Sequence, residues 1–156
     1  MNLSGKLAIA ALVTGLAMGS AVQAQEKKIK REELPPAVEK TVAEQRKGAM
    51  IRRFSTEIEN GKRIYEAELT VNGHGRDISM DEQGNIIEIE EEVFMDSLPP
   101  AVQEGLKKAA GAGTIGKIES LTKNGKLVAY EAKVRTGTKR SEIQVDPDGK
   151  KLAHPE

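Results

Sequence analysis

His74 and His154 are the two histidines of this 156-residue chain, and they are the first place to look for metal or proton-transfer chemistry. One sits in a Gly-rich hairpin tip and the other in the C-terminal tail. With no HxxxH spacing and no cysteine to complete a ligand set, the sequence predicts no metal centre. The turns Asp81–Asn85 and Asp146–Lys150 resemble calcium loops only at first sight. That chemistry needs alternating Asp or Asn residues, then Gly and a later bidentate Glu, and neither stretch has the order, so both are read as ordinary turns. A hydrolase would need an activated nucleophile. No Gly-x-Ser-x-Gly occurs, and Ser55, Ser79, Ser97, Ser120 and Ser141 have no histidine in matching positions. We therefore expect no enzyme, no catalytic residue and no cofactor.

Charge is more informative. Residues 31–92 carry 9 basic against 15 acidic side chains, and residues 93–156 carry 11 against 8, so the two halves are electrostatically opposite within a chain of zero net charge. That balance excludes a nucleic-acid binder with a basic footprint. On the strands read below, Glu57, Glu59, Glu66, Glu68, Asp77, Glu88 and Glu90 fall in the outward phase of the first half. The second half offers Lys117, Lys133, Arg135 and Lys151. The candidate binding residues are Glu66 and Glu68 with Lys133 and Arg135, placed outward on the second strand of each half. Together they make a bipolar docking face that would steer a complementary partner into one orientation. A small ligand or a cation such as calcium on the acidic face is the alternative.

These residues need elements to carry them, and the elements come in duplicate. Leu34-Pro35-Pro36-Ala37-Val38 returns as Leu98-Pro99-Pro100-Ala101-Val102. Asn60-Gly61 returns as Asn124-Gly125, Tyr65-Glu66-Ala67 as Tyr130-Glu131-Ala132, and Asp81 with Gly84 as Asp146 with Gly149. In each copy the prolines suit the first turn of a short amphipathic helix, with Val38 and Val42 or Val102, Leu106 and Ala109 as its apolar stripe. A period of two follows. Met50, Phe54, Thr56 and Ile58 are expected to share one side, and Tyr65, Ala67, Leu69 and Val71 to face inward. Ile78 and Met80 point inward on a third strand, and Ile87 and Ile89 alternate with Ile86 on a fourth. The second copy repeats this with Ile115, Ile118, Val128, Tyr130, Ala132, Val134, Ile143 and Val145, and only Leu152 remains of its fourth strand.

The fold class predicted is α+β: two tandem α-β-β-β-β repeats, with helices packed on one face of the antiparallel sheet and the other face open. The expected core is Val38, Val42, Phe54, Tyr65, Leu69, Val102, Leu106, Val128, Tyr130 and Ile143. Lys6, the apolar run Leu7–Met18 and the small residues through Ala24 follow the plan of a secretory signal cut between Ala24 and Gln25. The divisions are thus 1–24 signal peptide, 25–33 flexible leader, 34–92 first repeat and 93–156 second repeat. The site of action is periplasmic or outside the cell, with no membrane association after cleavage.

A helix, a strand, a turn with Gly, a strand reading Tyr-Glu-Ala and a strand closing on Asp-x-x-Gly resembles the PepSY domain. Here these are Tyr65–Ala67 with Asp81–Gly84, and Tyr130–Ala132 with Asp146–Gly149. Two copies behind a signal peptide look most like the PepSY-like proteins grouped with the beta-lactamase inhibitory protein, over residues 34–152. The resemblance implies an exported, non-enzymatic module that binds or inhibits another protein through the sheet face and loops away from the helices. The sequence lacks that inhibitor's cysteines and wealth of aromatics, so no contact residue is carried over. The expected partner is a protein of unknown identity, not nucleic acid, and the chain itself a monomer.

Overall fold

The computed structural model describes residues 26–154 and 156. The expected signal sequence and its cleavage site lie outside them. Two helices, α1 (Pro36–Gln45) and α2 (Pro100–Ala110), accompany eight strands. These are β1 (Lys27–Ile29), β2 (Ala49–Glu59), β3 (Lys62–Val71), β4 (His74–Met80), β5 (Ile86–Val93), β6 (Thr114–Lys123), β7 (Lys126–Thr136) and β8 (Lys139–Val145). They form one antiparallel sheet in chain order. The two repeats meet where β5 pairs with β6, Val93 opposite Ile118 and Glu88 opposite Lys123.

Local chemistry explains the elements. Each helix starts on its second proline, whose missing N–H is one the first turn cannot use anyway. Asn60-Gly61 and Asn124-Gly125 turn their hairpins with both residues at positive φ, the two-residue geometry that matches strand twist. On the sheet side of α1, Val38 and Val42 are buried against Phe54, Tyr65, Ala67, Leu69, Ile78 and Met80. On that of α2, Val102 and Leu106 are buried with Ile118, Ala132 and Val145. Ile89 packs on the first cluster and Val93 on the second. Those residues stand four apart on one strand, so both helices cover the same face.

The Asp-x-x-Gly turns fasten each helix to its sheet. Asp81 Oδ1 accepts from the backbone N–H groups of Gln83 and Asn85, both at 2.9 Å, and its other oxygen accepts from Asn85 Nδ2 at 2.8 Å. Asp146 Oδ1 accepts from Asp148 and Lys150 N–H groups at 3.0 and 2.8 Å. Both stretches are turns, with their carboxylates engaged by the backbone. Gly84 then lies so close beneath α1 that a Cβ on it would stand 2.5 Å from the Ala37 carbonyl oxygen, and one on Gly149 would stand 2.1 Å from that of Ala101. Thr41 Oγ1 donates to the Gly84 carbonyl at 2.7 Å. At the matching position of α2 stands Gly105, where a Cβ would be 1.9 Å from the Gly149 carbonyl oxygen.

Several expectations are corrected. Residues 25–33 are read above as a flexible leader, but Lys27–Ile29 pair with Ser55 and its neighbours as β1 and Arg31–Glu33 form one 3-10 turn. Ile29 packs on the first core, and Arg31 bonds Glu39 of α1, which anchors the segment. A bulge between Ile51 and Arg53 reverses the phase of β2, so Ile51 packs inward and Met50 is exposed. A second bulge opposite Ser79 and Met80 turns Ile86 inward with Ile89 and leaves Ile87 on the other face. Val128, Tyr130 and Ile143 are half-buried rather than fully buried, and Tyr130 and Ile143 pack inward against the second core. The face without helices is also not merely solvated, since Ile64, Leu121 and Ala129 are buried there.

Candidate functional site

Cross-strand pairing lays charged side chains in rows across the helix-free face. One row runs Arg53, Glu68, Asp77, Glu90 and on to Leu121 and Ala129. The next runs Ser55, Glu66, Ser79, Glu88 and Lys123. On the other side Glu92 stands opposite Glu119, and Glu119 opposite Glu131. The rows enclose an acidic groove of about 330 Å³ that includes Glu66, Asp77, Glu88, Glu90 and Lys123 in its walls. Its densest point joins the two repeats: carboxylate oxygens of Asp77, Glu90 and Glu119 all lie within 4.8 Å of one another.

The groove is only partly neutralised. Arg53 pairs with Glu68, and with Glu26 at 2.9 Å. Lys123 stands 3.3 Å from Glu88, and Lys117 Nζ donates to the buried Glu119 at 2.5 Å. Burial works against the Lys117 ammonium, but its bond to Glu119 and the charges of Asp77 and Glu92 hold its pKa above the ordinary lysine value. The carboxylates respond in the other sense. Burial, a hydrogen bond with Glu88 and the charges of Glu119, Glu88 and Glu131 push the Glu90 carboxyl up to about 8. The shift favours the protonated form, which can donate to Glu88. Burial also raises Glu66 and Asp77, assisted by the charge of Asp77 on the first and of Glu68 on the second.

Of the four candidate binding residues, the structure places Glu66 in the wall of this groove and Glu68 beside it, opposite Asp77 on the neighbouring strand. Glu66 accepts from Ser55 Oγ at 3.2 Å, and Glu68 is engaged by Arg53. Lys133 and Arg135 share the same face but lie four strands away, about 19 Å across the sheet at ~4.8 Å per strand. Lys133 stands 3.9 Å from Glu142 of β8, and Arg135 Nε donates to the Gly137 carbonyl at 3.1 Å. The cation in the groove wall is instead Lys123 of the seam, with Lys117 beside it on Glu119. Glu119 was invisible to sequence reasoning because only the β5–β6 register carries it to Asp77 and Glu90.

The model of the family described as "Putative beta-lactamase-inhibitor-like, PepSY-like" matches the chain twice, over residues 20–88 and 64–152. The chain belongs to the beta-lactamase-inhibitor-like, PepSY-like family. None of the curated proteins compared with it matches. Among solved structures, this PepSY-like chain is similar to a DUF2874 family protein from Bacteroides ovatus at TM-score 0.62 and 16% identity, covering 76% of this chain and 84% of that one. A BLIP-like protein from Bacteroides fragilis aligns at TM-score 0.57 and 20% identity, over 74% and 81%. Another, from Bacteroides eggerthii and described among "putative periplasmic proteins", aligns at TM-score 0.62 and 13% identity, over 76% and 86%. At these identities the likeness is one of fold. Among the described residues of the PepSY-like chain, no helix is long and apolar enough to cross a membrane.

Proposed function

We propose that this PepSY-like chain is an exported, non-catalytic binding module that holds another protein on its helix-free sheet face. The partner places a lysine or arginine side chain in the acidic groove. The observation that supports this most is the convergence of Asp77, Glu90 and Glu119 from three adjacent strands, with the carboxylates of Glu66 and Glu88 beside them. The carboxylate cluster beside the groove already takes the Lys117 ammonium on Glu119, which is the chemistry needed to seat another. The family's inhibitor-like description and the periplasmic description of a structural neighbour agree with an exported module. The second reading, a divalent cation, draws on the same carboxylates, since hard cations take several oxygen ligands.

The test keeps side-chain size and removes the Asp77 carboxylate and the ionisable proton of Glu90: Asp77→Asn combined with Glu90→Gln. Against the protein that the wild type captures from the periplasmic fraction, this variant is expected to associate several-fold more slowly at low salt and to differ little at high salt. Equal rates across the salt series would remove the groove from the interface. Heat released on titrating calcium into the wild type, and lost in the variant, would assign the groove to the cation instead.

A further inference from the structure

The two repeats differ in how they finish, and the difference exposes an edge. In the first, the Asp81 turn leads into Ile86 opposite Met80, and β5 then runs along β4 with Ile89 opposite Ile78, Glu90 opposite Asp77 and Glu91 opposite Arg76. Glu92 ends the run by accepting from the Gly75 N–H at 3.0 Å. The second repeat begins identically. Asp146 N–H donates to the Lys150 carbonyl at 2.8 Å as Asp81 N–H does to Asn85 at 3.0 Å, and Lys151 then bridges Val145. The Leu152 N–H donates to the Gln144 carbonyl at 3.0 Å. There the correspondence stops, and among the described residues nothing pairs with the outer edge of Lys139–Ile143.

Because Gln144 presents its carbonyl outward and backbone direction alternates along a strand, Arg140 and Glu142 present their N–H and C=O groups to that open edge. The surroundings are basic. Arg140 stands opposite Arg135, and both border, with Lys133, Ser141 and Glu142, a concavity of about 940 Å³. Lys139 lies at the start of the same strand.

We propose that the edge of β8 takes an extended acidic segment of a partner protein as an added antiparallel strand, filling the place that β5 fills on β4. By the internal correspondence, the residue matching Ile89 would lie opposite Ile143, and the residue matching Glu92 would reach Arg140, which stands where the first repeat has Gly75. Main-chain hydrogen bonds would hold such a segment, and alternating aliphatic and acidic side chains would select it. A second copy of this chain fits poorly. Its own outer strands, β1 with Lys27 and Lys28 and β8 with Lys139 and Arg140, have the same sign as the edge they would meet. This proposal does not rest on the acidic groove, which lies on other strands.

The probe is a synthetic peptide with the sequence of Gln83–Asp96, compared with one in which its glutamates are replaced by lysine, each added to the full-length exported protein. The acidic peptide is expected to slow amide hydrogen exchange at Arg140 and Glu142 several-fold, and the lysine peptide to leave it unchanged. Glu142→Pro removes one outward N–H while leaving the β7 pairing of Ser141 and Ile143, a change an edge strand tolerates. It is expected to abolish the protection, whereas Glu142→Ala keeps it. Arg140→Glu, which alters no backbone group, gives the same loss should the proline variant fold poorly. The proposal is overturned if the acidic peptide protects neither amide, if its binding survives in Arg140→Glu, or if both amides already exchange slowly in the free protein.

Discussion

Gly105→Ala is expected to lower the melting temperature by roughly 10 °C, the equivalent of about 3 kcal/mol for a domain of this size. The sign separates two physical effects. Gly105 lies inside α2, where alanine is favoured over glycine by about 1 kcal/mol on helix propensity alone. Packing opposes it, because the new Cβ would sit 1.9 Å from the Gly149 carbonyl oxygen and 2.7 Å from its carbon. Backbone occupies both sides of that contact. Gly149 has φ +81° and is itself pressed against the Ala101 carbonyl, so it has no room to retreat. The helix must lift from the Asp146 turn, which pulls Val102 and Leu106 away from the second core. At the matching place in α1, Thr41→Ala removes one hydrogen bond and is expected to cost only about 1 kcal/mol. A thermal melt of both variants checks the pair, and an unchanged or raised melting temperature for Gly105→Ala would mean that α2 does not rest on the turn.

Alkaline conditions are expected to loosen the protein through Glu90. Its carboxyl titrates near 8 when folded against an ordinary 4.5, so folding favours the protonated form. The stability tied to this proton is complete below pH 4.5 and is lost as pH rises through about 8. Glu66 and Asp77, raised by burial in the same groove, act in the same direction. Glu39, held below its ordinary value by its hydrogen bond to Arg31 despite some burial, acts in the opposite direction but only in acid. Between pH 6 and 9 the melting temperature is therefore expected to fall by about 3–6 °C, corresponding to about 1–2 kcal/mol once solvent screening of this part-buried group is allowed for. Glu90→Gln keeps an N–H donor for Glu88 without an ionisable proton. It should flatten the slope and melt higher than the wild type at pH 9. A wild-type slope that survives in this variant would place the titrating group elsewhere.

Much of the fold was legible because its signals are local. The prolines before each helix, the Asn-Gly turns and the stripe Val38–Val42 act within a few residues, and the repetition of each signal in the second copy confirmed its reading. Phase along the strands was legible only as far as the first irregularity. One extra residue at Arg52 exchanges Met50 for Ile51 in the core, and the bulge before Glu88 exchanges Ile87 for Ile86, and neither stretch carries a glycine or proline to announce it. The groove was half legible. Glu66, Glu68, Asp77, Glu88 and Glu90 share an outward phase that the sequence shows, but the cluster closes only when Lys117, Glu119 and Lys123 of the second repeat arrive beside Asp77, Glu88 and Glu90. That arrival is a property of the β5–β6 register, which no local signal sets. The opposite charges of the halves read as two ends of one face, whereas in the folded chain cations of the second repeat are interleaved with carboxylates of the first.

The most direct test of the groove as a protein-binding surface is zero-length carbodiimide cross-linking of the exported protein in the periplasmic fraction, read by mass spectrometry. The groove reading predicts amide links from Glu66, Glu88 or Asp77 to lysines of one partner, lost when Asp77→Asn and Glu90→Gln are introduced together. Links confined to carboxylates on the helix side, such as Glu39 and Glu104, or links that persist unchanged in the double variant, would contradict it.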